Sequence, residues 1–259
     1  MNATEEKSPS EGASAGRSQQ HRDASWRGGA LAAGVSTGIV AYAIVGALLA
    51  GRTDLSGAAR LWLAAIPIDM AGVAGVMCVL LSRVPAGRRL EALRLHPLRN
   101  AGDTLRRAGG HMLWLYPVTI LLTGLTVGML EALGYEPVGS PILTVLREDA
   151  GFATWLSLAV LAIVIAPLAE EILFRAVLFD ALAARFSGHS SRTAAAIAFA
   201  LFHMIPEQIP ALFLLGLFLQ RLRNREGTLW ACVLFHALFN ALSIGWLAVW
   251  IARTNGAGA

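Results

Sequence analysis

The chain has 259 residues, 56% of them hydrophobic and only 15% charged, against roughly 25% charged in an ordinary soluble domain. That profile excludes a soluble globular enzyme and points to a polytopic membrane protein. The formal charge of +4 is almost all arginine, Lys7 being the one lysine. In a membrane protein such an excess reports orientation and contact with anionic membrane lipids. No aromatic-interleaved basic run accompanies it, so no nucleic-acid partner is expected. Cys78 and Cys232 both sit in apolar runs and define neither a disulfide framework nor a zinc site.

Residues 1–28 are rich in Ser, Glu, Gln and Arg and lack apolar periodicity, which predicts a disordered polar tail. The apolar run from Gly29 to Ala50 is too long for the core of a cleavable signal peptide and reads as a first span. Within it, Gly34-Val-Ser-Thr-Gly38 matches the nucleophile-elbow pattern G-x-S-x-G. That motif needs a strand–turn–helix setting; in a helix the same residues are G-x-x-x-G, a close-packing face. Leu61 to Ser82 predicts a second span holding Pro67 and Asp69. Asp69 is either a functional intramembrane acid or, the favoured reading, a hydrogen-bonding group near the interface.

Arg83 to Gly110 carries seven arginines among Leu90, Leu93, Leu95, Leu98 and Leu105, the pattern of a cytoplasmic loop with an amphipathic helix on the headgroups. His111 to Leu133 is a third span, with Gly124 and Gly128 as a second small-residue face, and completes an N-terminal membrane region over 29–133. Gly134 to Gly151, with Pro137, Gly139 and Pro141, reads as a turn-rich external loop. A fourth apolar run opens at Phe152, continues through Pro167 and ends near Phe186. Arg192 to Met204 and Ile209 to Gln220 are fifth and sixth segments, short for full spans, so a broken or re-entrant pair is an alternative. Thr228 to Ala252 is a seventh.

The sequence therefore predicts an all-α, polytopic transmembrane helical bundle of about seven spans, in the plasma membrane. Sixteen of the 21 lysines and arginines fall in 1–28, 83–110, 185–192 and 221–227. By the positive-inside rule that places the N-terminus in the cytoplasm.

Three polar islands interrupt the apolar second half. The first, Ala166-Pro-Leu-Ala-Glu-Glu-Ile-Leu-Phe-Arg175, holds three ionisable groups within six positions, each costing roughly 2.5–3.5 kcal/mol near the middle of a bilayer. Glu171 and Arg175 are four apart and meet on one helix face, while Glu170 is turned about 100° away and is left for chemistry. Pro167 removes a backbone donor just upstream, which predicts a kink or local opening. Alone, the run would also suit an interfacial helix start. The second island is Phe199-Ala-Leu-Phe-His203, ended by Pro206. The third is His236-Ala-Leu-Phe-Asn240, whose polar ends share a helical face. At 1.5 Å per residue, His203 and His236 lie roughly 12–17 Å in from the cytoplasmic helix ends, near mid-depth. A carboxylate, two imidazoles and a carboxamide converging there suit hydrolysis: Glu and His can activate water, and His with an amide can stabilise an oxyanion.

Glu170-Glu171-x-x-x-Arg175, Phe199-x-x-x-His203 and His236-x-x-x-Asn240 resemble the three signature motifs of the CPBP family. Its members are the CAAX-protease and bacteriocin-processing (Abi) intramembrane peptidases related to the type II CAAX prenyl endopeptidase. The resemblance covers roughly residues 150–245, including Gly216-Leu-Phe-Leu and Arg225-Glu-Gly-Thr-Leu-Trp230, and implies a peptidase core over 150–252. It implies that Glu170 activates water with His203, that His236 and Asn240 bind the oxyanion, and that Glu171 and Arg175 organise the site. The implied substrate is a membrane-associated peptide or protein, of the prenylated CAAX type in the named relative. Family members have also been described as metallopeptidases, and a divalent metal such as zinc held by Glu and His is chemically reasonable; H-E-x-x-H is absent, and the metal is left open. A bacteriocin self-immunity or peptide-maturation role and a non-catalytic membrane scaffold are the alternatives.

Overall fold

The computed structural model describes residues 9–49, 55–65, 70–136 and 141–256. Among them every regular element is helical. Twelve α-helices follow in order: α1 Pro9–Leu49, α2 Gly57–Ala65, α3 Val73–Arg83, α4 Arg89–Ala92, α5 Ala101–Ala132, α6 Pro141–Glu148, α7 Phe152–Val160, α8 Ala166–Glu171, α9 Phe179–Ala183, α10 Gly188–Phe202, α11 Ile209–Glu226 and α12 Leu229–Gly256. Two π-helical turns, Leu161–Ile165 and Ile172–Leu178, join α7, α8 and α9 into one continuous rod.

Among the described residues, five stretches are long and apolar enough to cross a membrane: Trp26–Leu48, Gly57–Arg83, Ala101–Ala132, Phe152–Ala183 and Leu229–Arg253. The protein is an all-α, multi-pass membrane bundle. The fifth and sixth of the seven expected spans are the two segments that fall short. α10 has 15 residues and α11 has 18, against about 20 for a crossing. Polar residues take up the first turns of α10 and the last two of α11, so neither has an apolar length that spans alone. The two helices pack on each other, and α11 also packs on α5 and α12.

Local signals set several ends. Asn100 Oδ1 accepts from Asp103 N–H at 3.1 Å and caps α5, and Ser187 Oγ accepts from Ser190 N–H at 3.3 Å to cap α10. Gly227 closes α11 with φ 71°, its N–H bonded to the Arg223 carbonyl at 2.9 Å; this left-handed cap favours glycine.

The structure adds detail to several of the expected segments. α1 begins at Pro9, inside the segment predicted to be a structureless tail; its Ser, Gln, Glu and Arg residues carry no propensity barrier, and a helix propagates easily from an apolar neighbour. The 83–110 loop holds only the short α4 as an independent α-helix, because Arg94 turns left-handed (φ 54°), Pro97 follows, and residues from Ala101 belong to α5. The loop expected over 134–151 contains α6. Pro67, Asp69, Pro137 and Gly139 lie outside the described residues. Gly34 packs as a helix face: a Cβ there would lie 3.0 Å from the Gly72 carbonyl oxygen and from Val76. At Gly124 and Gly128 a Cβ would meet nothing within 4 Å, so that face is unpacked within this chain.

Two apolar clusters flank the rod. One joins Trp26 and Ala30 of α1, Val76 and Leu80 of α3, Ile172 and Val177 of the second π turn, and Leu229 of α12. The other joins Met112 and Leu115 of α5, Phe174 of the second π turn, Phe199 of α10, Leu215 and Leu219 of α11, and Phe235 of α12. Outward-facing Ile39, Leu113, Leu121 and Trp246 are exposed, as lipid-facing positions of spanning helices are.

Candidate functional site

The rod that carries Glu170 is irregular for a reason written in the sequence. In the turn Leu161–Ile165 the Ala166 N–H bonds back to the Leu161 carbonyl, five residues away. The next bond in that register would come from residue 167, which is a proline and has no N–H. The Ala162 carbonyl takes a side-chain donor instead: Asn240 Nδ2 reaches it at 2.7 Å. The opening expected at Pro167 is thus real, and it ties α12 to the rod. Such π turns concentrate at functional sites.

One turn later, Glu171 is fully buried and Arg175 almost so. Their ion pair spans 3.2 Å, four residues apart as the sequence predicts. The guanidinium carbon lies 4.3 Å from the centre of the Phe199 ring, a cation–π contact in a water-poor setting. The same Glu171 Oε1 receives His236 Nδ1 at 3.0 Å. A carboxylate only accepts, so Nδ1 carries the hydrogen and Nε2 faces the other way.

Glu170, buried like its neighbour, points to the two histidines. His203 Nε2 lies 3.7 Å from Glu170 Oε2, and His236 Nε2 lies 3.8 Å from the same oxygen. His203 Nδ1 is held at 2.8 Å by the Phe199 carbonyl, again an acceptor, so this ring also turns Nε2 toward the carboxylate. Glu170, Glu171, Arg175, His203 and His236 therefore form one cluster. Asn240 sits on the same α12 face as His236, with one amide hydrogen committed to Ala162 and a second donor in hand.

Phe199 is the residue that sequence reasoning undervalued. Its ring is fully buried and meets His203 edge-on at 4.8 Å and His236 at 5.9 Å between ring centres. It also carries Arg175 on its face and holds His203 through its carbonyl. The i, i+4 spacing to His203 was the available signal; its place beneath Arg175 is tertiary.

The donor set, two imidazoles and a carboxylate with each Nδ1 held, has the chemistry that zinc uses. As arranged, however, no group of three His, Cys, Asp or Glu among the described residues is placed to hold an ion. Cys78 and Cys232 are free thiols, exposed and buried respectively.

Residues 152–242 match the family model described as type II CAAX prenyl endopeptidase Rce1-like. That stretch of the chain is similar to an Rce1-like domain. That domain runs from the start of α7 into α12 and contains all six site residues, while α1 to α6 lie outside it. At the level of the family, an Rce1-like domain supports a CAAX-type intramembrane protease. No curated protein and no solved structure matches the chain.

Proposed function

We propose that residues 150–252 form the core of an intramembrane endopeptidase in which Glu170 and His203 activate the attacking water and His236 and Asn240 stabilise the oxyanion. The observation that carries this reading is the convergence of both Nε2 atoms on one Glu170 oxygen at 3.7 and 3.8 Å. Those gaps are too long for direct hydrogen bonds and suit a single bridging water. Such a water donates one hydrogen to Glu170 and another to His203, and its oxygen adds to the scissile carbonyl carbon. The resulting oxyanion accepts from Asn240 and from Nε2–H of His236 in its doubly protonated form, whose Nδ1–H stays on Glu171. Glu170 then returns its proton to the leaving nitrogen, the C–N bond breaks, and an acid and an amine depart. Glu171 and Arg175 position the site, because Glu171 fixes the His236 ring and Arg175 neutralises Glu171.

A membrane-associated peptide is the substrate class, and a prenylated CAAX-type C-terminus is the specific form. An apolar cavity of about 380 Å³ lined by Tyr42, Leu173, Phe174 and Phe202 supports that choice: it lies beside the helices that carry Glu170 and His203, and it would take a hydrocarbon chain. The arginine-rich end of the bundle faces the cytoplasm of a plasma-membrane protein, by the positive-inside rule.

The test is mass spectrometry of products from a panel of lipidated and transmembrane peptides, comparing wild type with Glu170→Gln. Products from wild type alone support the peptidase. Equal products from both proteins, or none from wild type across the panel, would sink it in favour of a membrane scaffold.

A further inference from the structure

Away from the Glu170 cluster, one carboxylate gathers three guanidinium groups. Asp180 of α9 pairs with Arg223 at 2.6 Å, Arg27 at 3.4 Å and Arg94 at 3.9 Å. Beside this knot lies a cavity of about 520 Å³ lined by Arg27, Arg83, Arg88, Arg94, His96 and Trp26, with Glu91 as the acidic side chain among the described residues that line it. Among the described residues, the four cavity arginines and Arg223 meet two carboxylates, Asp180 and Glu91, the latter 3.9 Å from Arg88, so guanidinium groups outnumber carboxylates here. Each guanidinium has five N–H donors, more than one carboxylate contact uses, so ion-paired arginines can still donate to an anion in the cavity.

The cavity wall is built, not incidental. Arg94 holds a left-handed backbone, φ 54°, that a non-glycine residue rarely adopts. It is fixed there from both sides: its N–H bonds to the Glu91 carbonyl at 2.9 Å, and its own carbonyl accepts from Leu229 N–H at 2.9 Å and Thr228 Oγ1 at 3.3 Å. Thr228 Oγ1 also donates to the His96 carbonyl at 2.6 Å. The start of α12 thus clamps the 94–96 turn, and a strained residue held this way marks a functional position. Arg27 stacks on Trp26, its guanidinium carbon 5.1 Å from the ring centre.

The setting selects the ligand. Two spanning stretches, Trp26–Leu48 and Gly57–Arg83, end at this cavity, so it lies at headgroup level, where Trp and Arg concentrate. Leu81 and Leu90 beside it are exposed at 52% and 65% and offer apolar surface to acyl chains. A tetrahedral phosphate accepts from several guanidinium forks at once. We propose that this cavity binds a phosphate group, that of an anionic phospholipid headgroup, through Arg27, Arg83, Arg88 and Arg94.

The test uses the full-length protein in phosphatidylcholine nanodiscs, titrated with phosphatidylglycerol, with retained lipid counted by native mass spectrometry and thermal melting followed in parallel. Wild type should retain phosphatidylglycerol over phosphatidylcholine and melt higher with it. Arg83→Gln/Arg88→Gln changes two exposed cavity residues outside the Asp180 knot and should weaken phosphatidylglycerol retention about tenfold or more. Arg99→Gln/Arg106→Gln removes the same charge from outside the cavity and should leave retention unchanged. Competition by millimolar inorganic phosphate, without any preference between the lipids, would keep the phosphate site and reassign its source to free phosphate. Equal retention of both lipids with no response to phosphate would overturn the proposal, as would equal losses in the two double variants.

Discussion

The buried ion pair beneath the site gives the sharpest stability test. Glu171 is fully buried and Arg175 is 2% exposed, and the pair spans 3.2 Å. Arg175→Met removes the guanidinium and leaves a buried carboxylate with His236 as its remaining partner. Breaking a buried pair from one side costs about 3–5 kcal/mol, because the surviving charge keeps its desolvation penalty. Loss of the contact over Phe199 adds to this. Glu171→Gln/Arg175→Met removes both charges, yet the Gln oxygen still accepts from His236 Nδ1. Replacing a whole buried pair by neutral groups of similar volume is close to neutral, so the double variant should lie within about 1–2 kcal/mol of wild type. Unfolding free energies in mixed detergent micelles, measured as a double-mutant cycle, supply the comparison. If Arg175→Met matches wild type, or the double variant is no more stable than the single, the pair is not the electrostatic keystone argued here.

Glu170→Gln should lower peptide cleavage by roughly 10²–10⁴-fold, the usual span for a general base, while leaving the melting temperature near wild type; a loss of only a few-fold would move the base elsewhere. Gly75→Val should destabilise by about 1–3 kcal/mol, since even a Cβ there would lie 2.7 Å from the Ala33 carbonyl oxygen of α1; an unchanged unfolding curve would show that α1 and α3 separate freely. Asp149 accepts from Gly151 N–H, Gly57 N–H and Thr154 Oγ1, and these donors hold its carboxyl below the usual range. A depressed folded-state pKa stabilises above the unfolded value of about 3.9 and loses that contribution as pH falls through the folded value. Asp149→Asn should therefore melt lower than wild type at neutral pH, and the gap should begin to narrow as pH falls toward about 3.9 and close below the lower folded-state value; a gap that does not narrow with falling pH would refute the linkage.

What the sequence made legible, and what it hid, divides by the range of the interaction. Glu171 with Arg175 and Phe199 with His203 are i, i+4 pairs, and helical geometry alone predicts that each pair meets. The opening at Pro167 was legible too, because a missing N–H is a property of one residue. Its consequence was not: that Asn240, more than seventy positions on, supplies the absent donor to Ala162 depends on how α12 lies against the rod. The same limit applies to span number. Apolar length reads α10 and α11 as segments, yet only packing decides whether short helices cross a bilayer or lodge among longer ones; here α10 packs on α11, and α11 on α5 and α12. The Asp180 knot is the extreme case. Arg27, Arg94, Asp180 and Arg223 are scattered across nearly two hundred residues, and each alone reads as an ordinary interfacial charge. Only the fold turns three of them onto one carboxylate, and only the strained Arg94 turn, pinned by Thr228 and Leu229, gives the reason that turn is left-handed at all.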